Sequence, residues 1–221
     1  MDLCMADAQR TVRNGIISND MSEVRARLEA IVAEHDLLKH PFYQAWNAGT
    51  LPVEALATYA AEWGNFVAQV PQGWAAHGEL TIAAEEVTHV ALWDDFAASL
   101  NTKVALPTIN EVKALTQTCD KNFSEATTSV GALYAFEAQQ PKTSTSKLQG
   151  LKEHYSLGEK GEEYFRIHCD DIHEMEILAQ TAEKMSLEDQ AKTIVACEET
   201  AKALWNALTG IHNVHCKTMS A

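Results

Sequence analysis

The 221-residue chain has no apolar run approaching the ~18 residues of a membrane-spanning helix, so a transmembrane segment is not expected. Basic residues are scarce: 17 Lys and Arg face 31 Asp and Glu, a formal net charge of −14. Affinity for phosphate backbones rests on clustered cations, which argues against a nucleic-acid partner, and an anionic membrane surface is disfavoured on the same ground. The five cysteines (Cys4, Cys119, Cys169, Cys197, Cys216) are scattered without a CxxC pair, so neither a disulfide framework nor a zinc knuckle is indicated. The opening stretch MDLCMADAQRTVRNG lacks the apolar segment of a secretory leader. The expectation from these absences is a soluble, cytoplasmic protein with reduced thiols. Strand-like alternation, internal repeats and low-complexity linkers are missing too.

What is present reads as helices. After a polar leader (1–21), SEVRARLEAIVAEHDLL (22–38) spaces Val24, Leu28, Ile31 and Val32 helically behind a Ser22 cap. A short piece, HPFYQAWNAG (40–49), precedes a helix that starts at Pro52 and is kinked or ended by Pro71. Further helices are expected over 78–100, 108–121, 124–140, 143–156 and 159–184. The last opens on the capping box SLED at Ser186 and stops at Gly210, leaving 211–221 as a tail with His212, His215 and Cys216. The pattern predicts one all-α domain over 22–210 with about eight helices. Its five tryptophans (Trp46, Trp63, Trp74, Trp93, Trp205) serve most simply as core or dimer-interface anchors.

Three sets of residues in this helical chain have the chemistry of metal ligands. AAEEVTHVALW places Glu85 or Glu86 on one helix face with His89. VGALYAFEAQQP carries Glu137 as a lone acid in an apolar run, where a buried carboxylate needs a partner. EEYFRIHCDDIHEMEI brings His168, Asp170, Asp171 and His173 within six residues. Helical bundles hold metal pairs with carboxylates and imidazoles projecting inward from facing helices, and iron or manganese favours such hard oxygen donors with imidazole. Each set also has a plain reading as solvated helix surface, so spacing alone leaves the metal open.

Several local patterns carry a resemblance: HPFYQAW (40–46) with GTLPVEALATYA (49–60), HVALWDDF (89–96), GALYAFEAQQP followed by KLQGL (131–151), and YFRIH (164–168). Over residues 35–180 the chain resembles the CADD family (Chlamydia protein associating with death domains) of haem-oxygenase-like diiron oxidases. The resemblance implies a bundle of seven to eight helices, often dimeric, around two metal ions (iron, or iron and manganese). Molecular oxygen and a reductant would be co-substrates. It places His89, Glu137 and His168 on family ligands. The position seven before His89 is Ile82, so Glu86 or Glu85 takes that role. The family's HxxxDxxH would put ligands at Ile172 and Met175; with the motif shortened to HCDDIH, Asp171 and His173 are the candidates, the latter only if a distortion or helix break re-aims it. The resemblance further implies formation of para-aminobenzoate for folate supply, using the protein's own tyrosine as ring and a lysine as amine. Tyr43, Tyr59 and Lys147 occupy the matching positions.

Three alternatives stand beside this. One is a diiron oxidase acting on an external amino or fatty acid. Another is a metal-free thiaminase-like hydrolase of the TenA type, with Cys119 or Cys169 as nucleophile. The third is a non-enzymatic interaction protein.

Overall fold

The computed structural model describes residues 22–215; the leader 1–21 with Cys4, and the end of the tail from Cys216, lie outside them. The elements are α1 (Glu23–Glu34), α2 (Pro41–Asn47), α3 (Val53–Val67), α4 (Val70–His77), α5 (Leu80–Ser99), α6 (Asn110–Asn122), α7 (Ala126–Glu137), α8 (Gln140–Gly150), α9 (Glu159–Ile167), α10 (His173–Lys184) and α11 (Leu187–His215). A 3₁₀ turn (Leu37–Lys39) and a π turn (Leu151–Tyr155) complete the described residues, which contain no strand. No helix among them is long and apolar enough to cross a membrane.

The all-α expectation holds, but the segments are more numerous and shorter than seven or eight. The stretch after Pro52 divides into α3 and α4, and Pro71 sits in the first turn of α4, where its missing N–H costs nothing. The helix expected over 159–184 is broken: α9 ends at Ile167 and α10 begins at His173. Asp170 and Asp171 lie in the gap, and short acidic side chains compete with the backbone for hydrogen bonds. Gly210 does not stop α11, which continues to His215. Its role is close approach instead: a Cβ there would lie 2.8 Å from Ile109 and Glu111 side-chain atoms.

α7 is the central rod, buried continuously from Ser129 to Glu137, and the long α11 packs along it. The two backbones touch at Gly131, where a Cβ would come within 1.9 Å of the Thr193 carbonyl oxygen. α2, α3, α5 and α9 share an aromatic core in which Trp46, Tyr59, Trp63, Trp93, Phe96 and Phe165 are all buried. α5 turns one face inward, with Glu86, Trp93 and Phe96 buried and His89 half-buried in the same line. α10 does the same with Glu174, Leu178 and Ala182. Its outer side is held to α1 by Arg25, which donates to both Glu176 oxygens (2.8 and 2.9 Å) and to Glu183 (2.8 Å).

Candidate metal centre

Glu86, His89 and His168 converge from α5 and the end of α9, with ligand atoms that all lie within 4.8 Å of one another. Glu86 is only 3% exposed, whereas Glu85 faces solvent, so the i,i+3 pairing with His89 is the inward one. His89 Nδ1 lies 3.0 Å from Glu86 Oε1. Burial disfavours a protonated His89, but the Glu86 carboxylate more than offsets this and raises its pKa above the ordinary value. His168 is 1% exposed, and its Nδ1–H donates to the Tyr164 carbonyl oxygen at 2.6 Å. A carbonyl can only accept, so this bond fixes the tautomer and leaves Nε2 with its lone pair free. Burial, with help from the nearby His89 and Lys147 charges, pushes the His168 pKa down to about 4, so the ring is neutral near pH 7.

Two further carboxylates face the same interior. Glu137, at the end of α7, and Glu174, in the first turn of α10, are buried, and Glu137 Oε1 and Glu174 Oε2 have no hydrogen-bond partner among the described residues. Burial raises the Glu137 pKa well above its usual range, with Glu174, Glu86 and Asp171 adding to the rise. Burial likewise pushes Glu174 up to about 8, reinforced by Glu86 and Asp171. Converging acids with orphaned oxygens are unfavourable unless a cation joins them. Three glutamates, two imidazoles and a lone pair kept free on one of them are a donor set suited to iron or manganese. The residues present therefore fit a metal.

The expected site residues distribute as follows. Glu86, His89 and His168 are brought together, and Glu137 lies close enough to feel the Glu86 and Glu174 charges. Asp171 is half-buried in the α9–α10 gap, close enough to feel the His89 charge, and burial raises its pKa. His173 is exposed at the head of α10 and lies outside the cluster. The helix break does re-aim a side chain, but it is the adjacent Glu174, which the sequence reading had not singled out. A signal for it existed: Glu174, Leu178 and Ala182 repeat every four residues, placing the glutamate on the apolar stripe of its helix.

Beside this centre sits a second group. Tyr43 and Tyr59 are buried with hydroxyl oxygens 2.9 Å apart. The Lys147 Nζ lies 4.9 Å from the Tyr43 ring centre, 5.1 Å from Phe165 and 6.0 Å from Tyr59. Lys147 is 4% exposed and has no ion-pair partner among the described residues; burial lowers its pKa to about 7. Both tyrosines are pushed up by burial and remain phenols at neutral pH. Cys119, by contrast, is fully buried in α6 and its thiol is pushed up by burial, the opposite of an activated nucleophile.

Fold and site together define an all-helical protein with a buried cluster of glutamates and histidines that could hold a metal. A family model described as iron-containing redox enzyme matches residues 56–206, and the chain belongs to that family. It is 30% identical to the 4-aminobenzoate synthase of Nitrosomonas europaea over an alignment covering 88% of this chain and 93% of that protein. It is 26% identical to the 4-aminobenzoate synthase of Chlamydia pneumoniae, covering 84% of this chain and 93% of that one. Among solved structures, a domain of unknown function with a heme oxygenase-like fold from Shewanella denitrificans superposes with a TM-score of 0.73 at 14% identity, covering 91% of this chain and 95% of that chain. The protein is thus an enzyme of the iron-containing redox class on a haem-oxygenase-like fold.

Proposed function

We propose that the chain is a dimetal oxygen-activating enzyme that forms 4-aminobenzoate from its own side chains, with Tyr43 supplying the ring and Lys147 the amine. The observation that carries this reading is the placement of a buried, unpaired Lys147 amine 4.9 Å from the centre of the Tyr43 ring. The relatives named 4-aminobenzoate synthase support it.

Glu86, His89, Glu137, His168 and Glu174 would hold two ions, iron or iron with manganese, with Asp171 at the edge. Bound metal supplies the reduction of molecular oxygen, with electrons from an external reductant. The chain's residues then do the following. Tyr164 fixes the His168 ring through its carbonyl, keeping Nε2 available. The aromatic wall of Trp46, Trp93 and Phe165 excludes water from the tyrosines. The Tyr43–Tyr59 contact offers the phenol proton a partner 2.9 Å away when the ring is oxidised. With a pKa of about 7, Lys147 presents a neutral amine to the ring at physiological pH. Tyr43 is favoured over Tyr59 because it lies closer to Lys147.

The test is to load the protein with iron, or iron and manganese, and expose it to oxygen with a reductant. Free 4-aminobenzoate and the intact protein mass are then followed together. The expected result is at most one product molecule per chain, with matching mass loss mapping to the peptides of Tyr43 and Lys147. Catalytic product formation at constant protein mass would replace this reading with an external substrate; a metal-loaded protein making none would end it.

A further inference from the structure

A cavity of about 380 Å³ lies between α1, the Leu37–Lys39 turn, the α7–α8 junction and α10. That volume falls at the small end of the ~300–1,000 Å³ typical of ligand sites, which suits a single ring. Val32, Leu38 and Met175 give it apolar walls. Tyr134 lines it too, with the residue as a whole only 2% exposed. A phenol lining a cavity with apolar walls and a charged rim offers a ligand a hydrogen-bonding group beside a surface for a ring. At the rim Asp36 is already committed, capping Leu38 N and pairing with Lys39 at 3.3 Å. Lys142 and Glu29 have no ion-pair partner among the described residues, which leaves one cation and one anion for a ligand. The cavity adjoins the metal centre through the chain itself, since Met175 follows Glu174 and the lining residue Ala138 follows Glu137.

We propose that this cavity binds a small aromatic carboxylate bearing an amine, with the ring against Val32, Leu38 and Met175, the carboxylate at Lys142 and Tyr134, and the amine toward Glu29. The choice of 4-aminobenzoate itself rests on the proposed reaction: the cavity would hold the product after it leaves the tyrosine–lysine cage.

The test adds 4-aminobenzoate to the full chain, both chelated and iron-loaded, and follows binding by titration calorimetry and saturation-transfer NMR. Saturable one-to-one binding is expected in both forms, because the cavity contains none of the proposed ligands. Lys142→Met should weaken it about tenfold and Tyr134→Phe about fivefold, each within the range for loss of one hydrogen bond, stronger when charge-assisted. 4-Aminobenzamide, without the carboxylate, should bind at least tenfold more weakly. Absence of saturable binding, binding indifferent to both substitutions, or binding only to the iron-loaded form would overturn the proposal. Equal affinity for benzoate would overturn its amine. Because the compound is added rather than made, the result is independent of whether the chain synthesises it.

Discussion

Glu62 and the Glu137–Glu174 pair are both buried carboxylates in one helical domain, and they are treated in opposite ways. Glu62 accepts from Thr108 N (3.0 and 3.1 Å), Thr108 Oγ1 (2.6 Å) and Ile109 N (3.3 Å), so its oxygens are saturated by the loop they anchor. Glu137 and Glu174 each keep a buried oxygen without a partner, and burial raises the pKa of both, with Glu174 adding to the rise at Glu137. The first arrangement is complete as it stands; the second is completed only by a cation or by protons. A buried acid alone therefore says little, and the donors around it decide whether it builds the fold or serves chemistry.

The contrast can be broken most forcefully at Glu137. Glu137→Gln should cut product formation by more than ~100-fold, beyond the 10–100-fold typical of residues that only support a ligand. Metal content by mass spectrometry should fall with it, while the thermal midpoint of the chelated protein stays level or rises. Lys147→Arg separates binding from chemistry: metal should remain, but product should vanish at every pH, since guanidinium does not lose its proton. In the wild type the rate should climb as pH rises through about 7, where Lys147 becomes neutral, as a pH–rate profile would record. Glu62→Ala should do the reverse of Glu137→Gln, destabilising the fold by about 2–3 kcal/mol in urea titrations through the stranded Thr108 and Ile109 donors, with metal retained.

A gentler probe uses protons. Glu174 has its pKa raised to about 8 in the folded, metal-free protein, so the folded state binds more protons than the unfolded one between about pH 4.5 and 8. Stability of the chelated protein should accordingly be greatest below that window and decline as pH rises through it. Glu174→Gln should flatten the decline in thermal melts. The smallest effect is expected at Arg25→Met, which releases α1 from Glu176 and Glu183 on the partly exposed side of α10. A loss of about 1 kcal/mol suits a solvent-screened bidentate pair, and metal retention should weaken only slightly.

Much of this was legible in the sequence because its signals were local. Helical spacing gave the all-α class, and the inward donors Glu86, His89, Glu137 and His168 came from residue type, spacing and resemblance. What could not be read was the course of the chain after His168. Treating 159–184 as one helix put His173 about 140° from His168, and no pattern of period 3.6 announces where two aspartates will unwind the backbone. The break depends on what α9 and α10 each pack against, with α9 on α5 and α10 on α7, and that is tertiary information. The same holds for Gly210, a stop signal by type but a close contact to Ile109 and Glu111 in fact.

The contact at Gly131 has a consequence for the metal centre, six residues further along α7. With no Cβ to cushion it, the helix rests on the Thr193 carbonyl of α11 as a shaft rests on a machined shoulder. Any sliding or turning of α7 would drive one main chain into the other, so the position of Glu137 is referenced to backbone rather than to a compressible side chain. Tolerance at the ions is thereby set far from them. A single methyl added at Gly131 should be felt as a misplaced carboxylate rather than as a hole in the core.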